Sequence, residues 1–113
     1  MSVEGVWKVE ILGPDGWEQL ATAFLWKGRY HAASADHYSI GSYKEGGGTL
    51  KVEARITQHG KVRTAFGSKK EQVDIQIKGR IKKKADKIVG TARPSGGGKF
   101  NVQICLTRLG GLG

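Results

Sequence analysis

Apolar and polar residues alternate one by one along several short segments of the chain. In the segment 51–56, Val52, Ala54 and Ile56 are each separated by a charged residue. Successive side chains of a β-strand point to opposite faces, so this period predicts a strand with one buried face. The same alternation occurs in residues 7–11, 73–77 and 100–106, and more weakly in 88–92. Residues 20–26 are apolar at nearly every position, and we extend that strand from about Trp17.

Glycine-rich breaks separate these strands. Glycine accounts for 18 of the 113 residues, more than twice its usual share of about 7%. The sequence Gly13-Pro14-Asp15-Gly16 supplies a fixed φ and an achiral residue, so it predicts a hairpin between the first two strands. Similar glycine-containing turns are predicted at 27–29, 46–48, 59–61 and 96–98. The lysine-rich residues 82–87 are expected to form a solvated hairpin tip.

Seven or eight short strands joined by such turns predict an all-β antiparallel meander. A meander of this length avoids exposed edges most simply by closing, so we expect a closed or nearly closed barrel in a single domain over residues 1–113. No segment predicts a helix of three turns. The predicted interior consists of the apolar faces of the strands: Val9, Ile11, Leu50, Val52, Ile56, Val73, Ile75, Ile77, Val102, Ile104 and Leu106.

The charge of the chain is high and lies in its second half. Residues 1–60 contain 6 basic and 7 acidic residues, whereas residues 61–113 contain 13 and 3, giving a formal net charge of +9. No run of 18 or more apolar residues predicts a membrane span. Glu4 stands where a secretory signal would be basic, and the single cysteine, Cys105, excludes an internal disulfide. We therefore expect a cytoplasmic protein.

No pattern in the sequence predicts an active site, a cofactor or a metal. The segment 94–99, Pro-Ser-Gly-Gly-Gly-Lys, lacks the Ser or Thr and the following helix that a phosphate-binding loop needs, so we interpret it as a turn. The three histidines have no zinc-ligand spacing. Asp36 and His37 are adjacent, and adjacent side chains of a strand diverge, which argues against a catalytic dyad. We expect no enzyme activity.

A lysine-rich stretch is the strongest charge feature. Its basic residues are Lys78, Arg80, Lys82, Lys83, Lys84 and Lys87. Nucleic-acid recognition through bases uses exposed aromatic side chains, and this stretch contains none. We therefore rank weak electrostatic binding of nucleic acid below an acidic protein partner for this surface.

Several short motifs, in order, resemble the GrlR family of small bacterial regulators. They are Gly5-Val6-Trp7, the segment 28–43 with its Tyr38 and Gly41-Ser42-Tyr43, Phe66-Gly67, and the closing Leu106-Thr107-Arg108. The resemblance covers nearly the whole chain, although each motif is short. It implies a lipocalin-like barrel, a homodimer and a non-enzymatic regulator that binds a transcriptional activator through an acidic loop.

Two departures from that family bear on function. Ser34-Ala35-Asp36 stands where the family has Gly-Gly-Asp, and residues 44–48 replace the acidic partner-binding loop, of which only Glu45 remains. The activator-binding role is therefore not carried over to this chain, whereas the barrel and the dimer are expected.

Two function classes follow. The first is a binding module that docks another macromolecule, with Trp7, Trp26, Tyr30 and Tyr38 as the anchors if they are exposed, and with Asp36 and Glu45 as further candidate contacts. The second is a carrier of a small apolar ligand inside the barrel, which depends on whether the interior is hollow. Cys105 alternates with the apolar face of its strand, so we expect a partly exposed thiol at a dimer contact.

Overall fold

Eight β-strands make up the structure, a computed structural model that describes residues 3–13, 15–59, 72–82, 86–95 and 101–111. The strands are β1 Gly5–Gly13, β2 Gly16–Trp26, β3 Arg29–Ala33, β4 His37–Gly46, β5 Thr49–Gln58, β6 Gln72–Ile81, β7 Lys87–Pro94 and β8 Val102–Gly110. The sequence-predicted features that lie outside the described residues are Lys83, Lys84, Phe66-Gly67, Phe100, parts of the turns at 13–16 and 59–61, and the whole turn at 96–98.

Each strand pairs antiparallel with the next one in sequence, and β8 pairs with β1, so the sheet closes into a barrel. The predicted all-β meander is thereby confirmed. Two of the predicted tight turns have two successive residues at positive φ: Lys27 at 46° and Gly28 at 79°, then Gly47 at 60° and Gly48 at 75°. This is the backbone pattern that matches the twist of adjacent strands in a hairpin.

The alternating apolar residues fill the inside of the barrel. Of the eleven predicted interior residues, nine are buried, and Val73 and Val102 are partly buried against the same cluster. Trp7, Leu25 and Tyr30 complete the interior together with small residues such as Ala23 and Ala92. Trp7, Val9, Leu50 and Leu106 have 0% accessible surface, so these side chains border no space large enough to admit water.

Close approach between strands requires glycine on two of them. A Cβ atom added to Gly41 on β4 would overlap the carbonyl oxygen of Glu53 and lie 2.6 Å from the Cα atom of Ala54. A Cβ atom added to Gly90 on β7 would overlap the carbonyl oxygen of Lys78. The absence of a side chain at these positions lets the neighbouring strand pass close by.

Candidate functional site

The four aromatic residues predicted as docking anchors divide into two pairs. Trp26 and Tyr38 are exposed, with 46% and 41% of their surface accessible. Trp7 and Tyr30 are buried, at 0% and 3%, so the condition of exposure is not met and neither is available as a surface anchor. The reason is their position in the alternation of each strand. Trp7 lies on the same inward face of β1 as Val9, and Tyr30 lies on the same inward face of β3 as Ala32. Burial also raises the pKa of the Tyr30 phenol well above its ordinary value.

Trp7 instead belongs to a cluster that joins the first and last strands. Its indole Nε1–H donates to the carbonyl oxygen of Val3 at 2.9 Å. The guanidinium of Arg108 on β8 lies over its ring, with Cζ 4.6 Å from the centroid, and donates from Nη1 to the carbonyl oxygen of Glu4 at 2.7 Å. Trp7 and Arg108 are register partners across the closing seam of the barrel, so this cluster is structural.

A patch of exposed apolar side chains covers the outside of β2, β3 and β4. We call it the aromatic face and define it as Phe24, Trp26, Tyr38 and Ile40, whose exposed fractions run from 41% to 47%. The register places Phe24 opposite His31 and His31 opposite Ile40, so one row crosses all three strands. Trp26 and Tyr38 flank this row, each two residues from Phe24 or Ile40 on the same outer face.

The rim of the aromatic face carries positive charge. Lys27 is exposed, and its Nζ lies 5.4 Å from the centroid of the Trp26 ring. Arg29, the register partner of Trp26, is also exposed. The ring of His59 stacks on the ring of Tyr38, with centroids 6.0 Å apart, and so enlarges the patch on this side. Exposed apolar surface rimmed by charged residues is typical of sites that contact another protein.

The two acidic residues suggested by the resemblance have structural contacts. Asp36 lies between β3 and β4, where its N–H donates to the Ser34 hydroxyl at 3.3 Å and its carbonyl accepts the N–H of His59 at 2.9 Å. The carboxylate of Glu45 accepts the N–H of Val3 at 3.3 Å, near the end of the barrel. Neither residue lies on the aromatic face.

A second surface lies on the outside of β4, β5 and β6. Lys44 is opposite Lys51, and Lys51 is opposite Lys78, so three exposed lysines form a row across three adjacent strands. Arg80 is exposed two residues beyond Lys78 on the same face of β6. We call these four residues the basic face. No ion pair within the described part of the chain involves any of them.

The basic face differs from the predicted basic stretch. Lys78 and Arg80 belong to both, whereas Lys82 and Lys87 are exposed at the ends of β6 and β7. Lys44 and Lys51 were missed because they come from the nearly neutral first half of the chain. The alternation that predicts β5 already puts Lys51 on its outer face, but only the register reveals that the three lysines are neighbours.

A groove of about 570 Å³ runs beside this row, between β5, β6 and β7. Its charged lining residues are Lys51, Lys78, Arg93 and one carboxylate, Glu53. Gln76, Thr91 and Asn101 add amide and hydroxyl groups. The lining therefore carries two uncompensated positive charges and several hydrogen-bond donors.

A neighbouring arginine has its own partner. Arg55 on β5 forms a two-pronged contact with Asp74 on β6, with Nε–Oδ1 at 2.8 Å and Nη2–Oδ2 at 3.3 Å. The Arg55 guanidinium lowers the pKa of the Asp74 carboxyl through this hydrogen bond. The positive charge of Arg55 is therefore compensated by Asp74 on the outer surface, unlike the charges of the basic face.

Cys105 is not the exposed thiol that alternation predicted. It does lie on the outer face, since it pairs with Glu10 on β1 and Val89 on β7, between the inward-facing Ile104 and Leu106. Its surface is nevertheless only 8% accessible. The Sγ atom lies 3.9 Å from the Thr107 hydroxyl. Alternation therefore predicted the direction of this side chain correctly but not its exposure.

The histidine that was considered for catalysis is part of a turn. His37 is 5% exposed, and its Nδ1 lies 2.8 Å from the Ser34 hydroxyl, three residues earlier. Asp36 and His37 are not two residues of one strand, since β4 begins at His37. Among the described residues, no group of three or more His, Cys, Asp or Glu side chains is arranged to hold a metal ion.

No helix in the described part of the chain is long and apolar enough to cross a bilayer. A scan of protein-family models matches no family to this chain. A search of curated proteins likewise gives no match.

Proposed function

We propose that this chain is a non-enzymatic regulatory or binding protein that docks a second, different protein on the aromatic face. The observation that carries the proposal is the exposure of Phe24, Trp26, Tyr38 and Ile40 together on one side of the barrel. Large aromatic side chains supply most of the binding energy in protein interfaces. The resemblance to GrlR-type regulators supports the same class of function.

The rim of the face favours a partner with acidic residues around an apolar centre. Two copies of this chain meeting through their aromatic faces would bring the Lys27 and Arg29 side chains of both copies together, and the chain carries a net charge of +9. Like charges at an interface oppose association, whereas an acidic rim on the partner would complement them. The homodimer that the resemblance implies, which we also propose, would therefore use another surface.

The carrier of a small apolar ligand is the weaker candidate. The central side chains Trp7, Val9, Leu25 and Leu50 have 0% accessible surface, so the space they line is filled by the protein itself. A ligand there would require these side chains to move apart, at a cost typical of disrupting a close-packed core.

Affinity capture with matched variants tests the proposal. The variant Phe24→Ser/Trp26→Ser removes half of the aromatic face, and Leu12→Ser/Trp17→Ser removes another exposed apolar pair, 37% and 47% accessible, from the β1–β2 hairpin. Each protein would be used to capture partners from its source cells, and captured proteins would be quantified by mass spectrometry. We expect a protein that wild type and the hairpin variant retain and the face variant loses, with direct binding then shown between purified partners.

A capture profile that does not change between the two variants would contradict docking on the aromatic face. Light scattering of the purified wild type tests the dimer separately. We expect twice the 12.2 kDa chain mass, and a monomer at micromolar concentration would rule out the proposed dimer.

A further inference from the structure

We propose that the basic face binds the phosphate backbone of duplex nucleic acid without sequence preference. This site is distinct from the aromatic face, and the inference does not depend on the proposed protein partner. It rests on Lys44, Lys51, Lys78 and Arg80 and on the groove beside them.

The three neighbouring lysines repel one another, and this repulsion favours the binding of an anion. Neighbouring strands lie about 4.8 Å apart, so the three lysines stand within about 10 Å of one another. Like charges directly opposite each other destabilise a sheet. No ion pair within the described residues relieves this repulsion. A polyanion laid across the row would relieve it at all three positions at once.

The composition of the surface selects the kind of anion. The described outward neighbours of the row are mostly polar: Ser42, Thr49, Gln76 and Thr91, with one carboxylate, Glu53, and one partly buried valine, Val89. A stable protein interface needs buried aromatic or large aliphatic anchors, and among these described neighbours only Val89 is apolar. Protein–nucleic acid interfaces are more polar and more positively charged, as this surface is.

The same composition favours a duplex over a single strand. Proteins that hold single strands stack the bases on aromatic side chains, and no aromatic residue is among the described outward neighbours of the row. Contacts to phosphates alone carry no sequence information. The groove adds Arg93, Thr91 and Asn101 as further donors to phosphate oxygens.

The β4–β5 turn leaves the approach open. Gly46, Gly47 and Gly48 follow Lys44 and Glu45, and a Cβ atom added to any of the three glycines would meet no described atom within 4 Å. A bulky duplex can therefore come close to Lys44 and Lys51 from this end of the barrel without meeting side chains at these three positions.

Fluorescence anisotropy with a labelled duplex DNA tests the inference. Four phosphate contacts give log K against log salt a slope of about −3.6, so affinity should fall roughly 150-fold between about 50 and about 200 mM salt. The variant Lys51→Gln/Lys78→Gln should weaken binding at low salt and reduce the magnitude of the slope to about 1.8. Glu53→Gln, which removes the one carboxylate of the groove, should strengthen binding.

A matched control separates the basic face from net charge alone. Lys8→Gln removes one charge from β1, which pairs with β2 and β8 and with no strand of the row, and it is compared with the single variant Lys51→Gln. We expect Lys8→Gln to keep the wild-type slope. Equal weakening by the two single variants would overturn the inference, because it would show attraction by net charge only.

Two further outcomes would also overturn it. One is the absence of wild-type binding to duplex DNA at low salt. The other is tighter binding to polyglutamate than to duplex DNA at equal charge, lost in Lys51→Gln/Lys78→Gln, which would assign the basic face to an acidic protein. Circular dichroism of each variant, with an unchanged strand spectrum, establishes that loss of binding is not loss of fold.

Discussion

Replacing Arg108 tests how the barrel is closed. Arg108 on β8 reaches across the seam to β1, where its guanidinium covers the Trp7 ring and donates to the carbonyl oxygen of Glu4. Arg108→Met keeps an unbranched apolar stem of similar length and removes the charge and its donors. The substitution therefore isolates the contribution of the guanidinium from that of the packed methylene groups.

The expected loss follows from the two contacts. A cation over an aromatic ring contributes about 0.5–2 kcal/mol, depending on how far it is shielded from water. A hydrogen bond from a charged group contributes about 1.5–3 kcal/mol. Arg108 is half-buried, and the two contacts share one group, so we expect a combined loss of about 2–4 kcal/mol in the free energy of unfolding. This is a large fraction of the stability of a small domain.

Urea and thermal unfolding, followed by circular dichroism, measure this loss. A domain of this size loses roughly 3–6 °C in Tm for each kcal/mol. Arg108→Lys should fall between wild type and Arg108→Met, because it keeps the charge over the ring but loses the planar donor. Arg93→Met is the control: Arg93 is exposed, its contact to Gln76 is 3.5 Å long, and its change should stay within about 0.5 kcal/mol. Equal stabilities for Arg108→Met and Arg93→Met would refute this account of the seam.

Two further predictions concern the inside of the barrel. Gly41→Ala should destabilise the fold by about 1–3 kcal/mol in urea unfolding, since its Cβ would overlap the backbone of β5; Gly46→Ala, which meets nothing within 4 Å, is the control, and equal effects would disprove the close approach. Burial raises the pKa of Tyr30, so the unfolded chain loses the phenol proton first, near pH 10, and stability should fall as pH rises above that value. Tyr30→Phe should lessen this alkaline loss in urea unfolding at about pH 9 and about pH 11, and an identical pH dependence would contradict it.

The fold could be predicted because its signal is local. Alternation over five or six residues identifies both a strand and its buried face, and the turn residues give the connections. Residues 20–26 show the limit of this signal. An apolar residue at nearly every position leaves the inward face undetermined, and the structure selects Ala21, Ala23 and Leu25. Phe24 and Trp26 are consequently exposed, although the sequence pattern is equally compatible with their being core residues.

The candidate sites could be predicted only in part because they depend on pairing between strands. Trp26 and Tyr38 were named as anchors if exposed, and the structure exposes them, but Ile40 joins them only through the register of β3 with β4. Lys44 and Lys78 are 34 positions apart in the sequence, and no local pattern relates them. Trp7 was named as an anchor only if exposed, and its position on the same strand face as Val9 and Ile11 already indicated the interior.

Closure of the sheet determines where this chain can bind anything. Each described strand is hydrogen-bonded to a neighbour on both sides over at least part of its length, so a partner could add a strand only along short unpaired segments such as residues 17–21 of β2. The central interior is filled by its own side chains, which leaves the outer side chains as the binding groups. Both proposed surfaces include β4: Ile40 belongs to the aromatic face and Lys44 to the basic face, with only Ser42 between them on the outer side. At about 3.4 Å per residue, Ile40 and Lys44 are about 14 Å apart. At this distance a docked protein and a bound duplex would overlap. A protein seated on the aromatic face would therefore compete with nucleic acid for the barrel, and the two activities would be linked through β4.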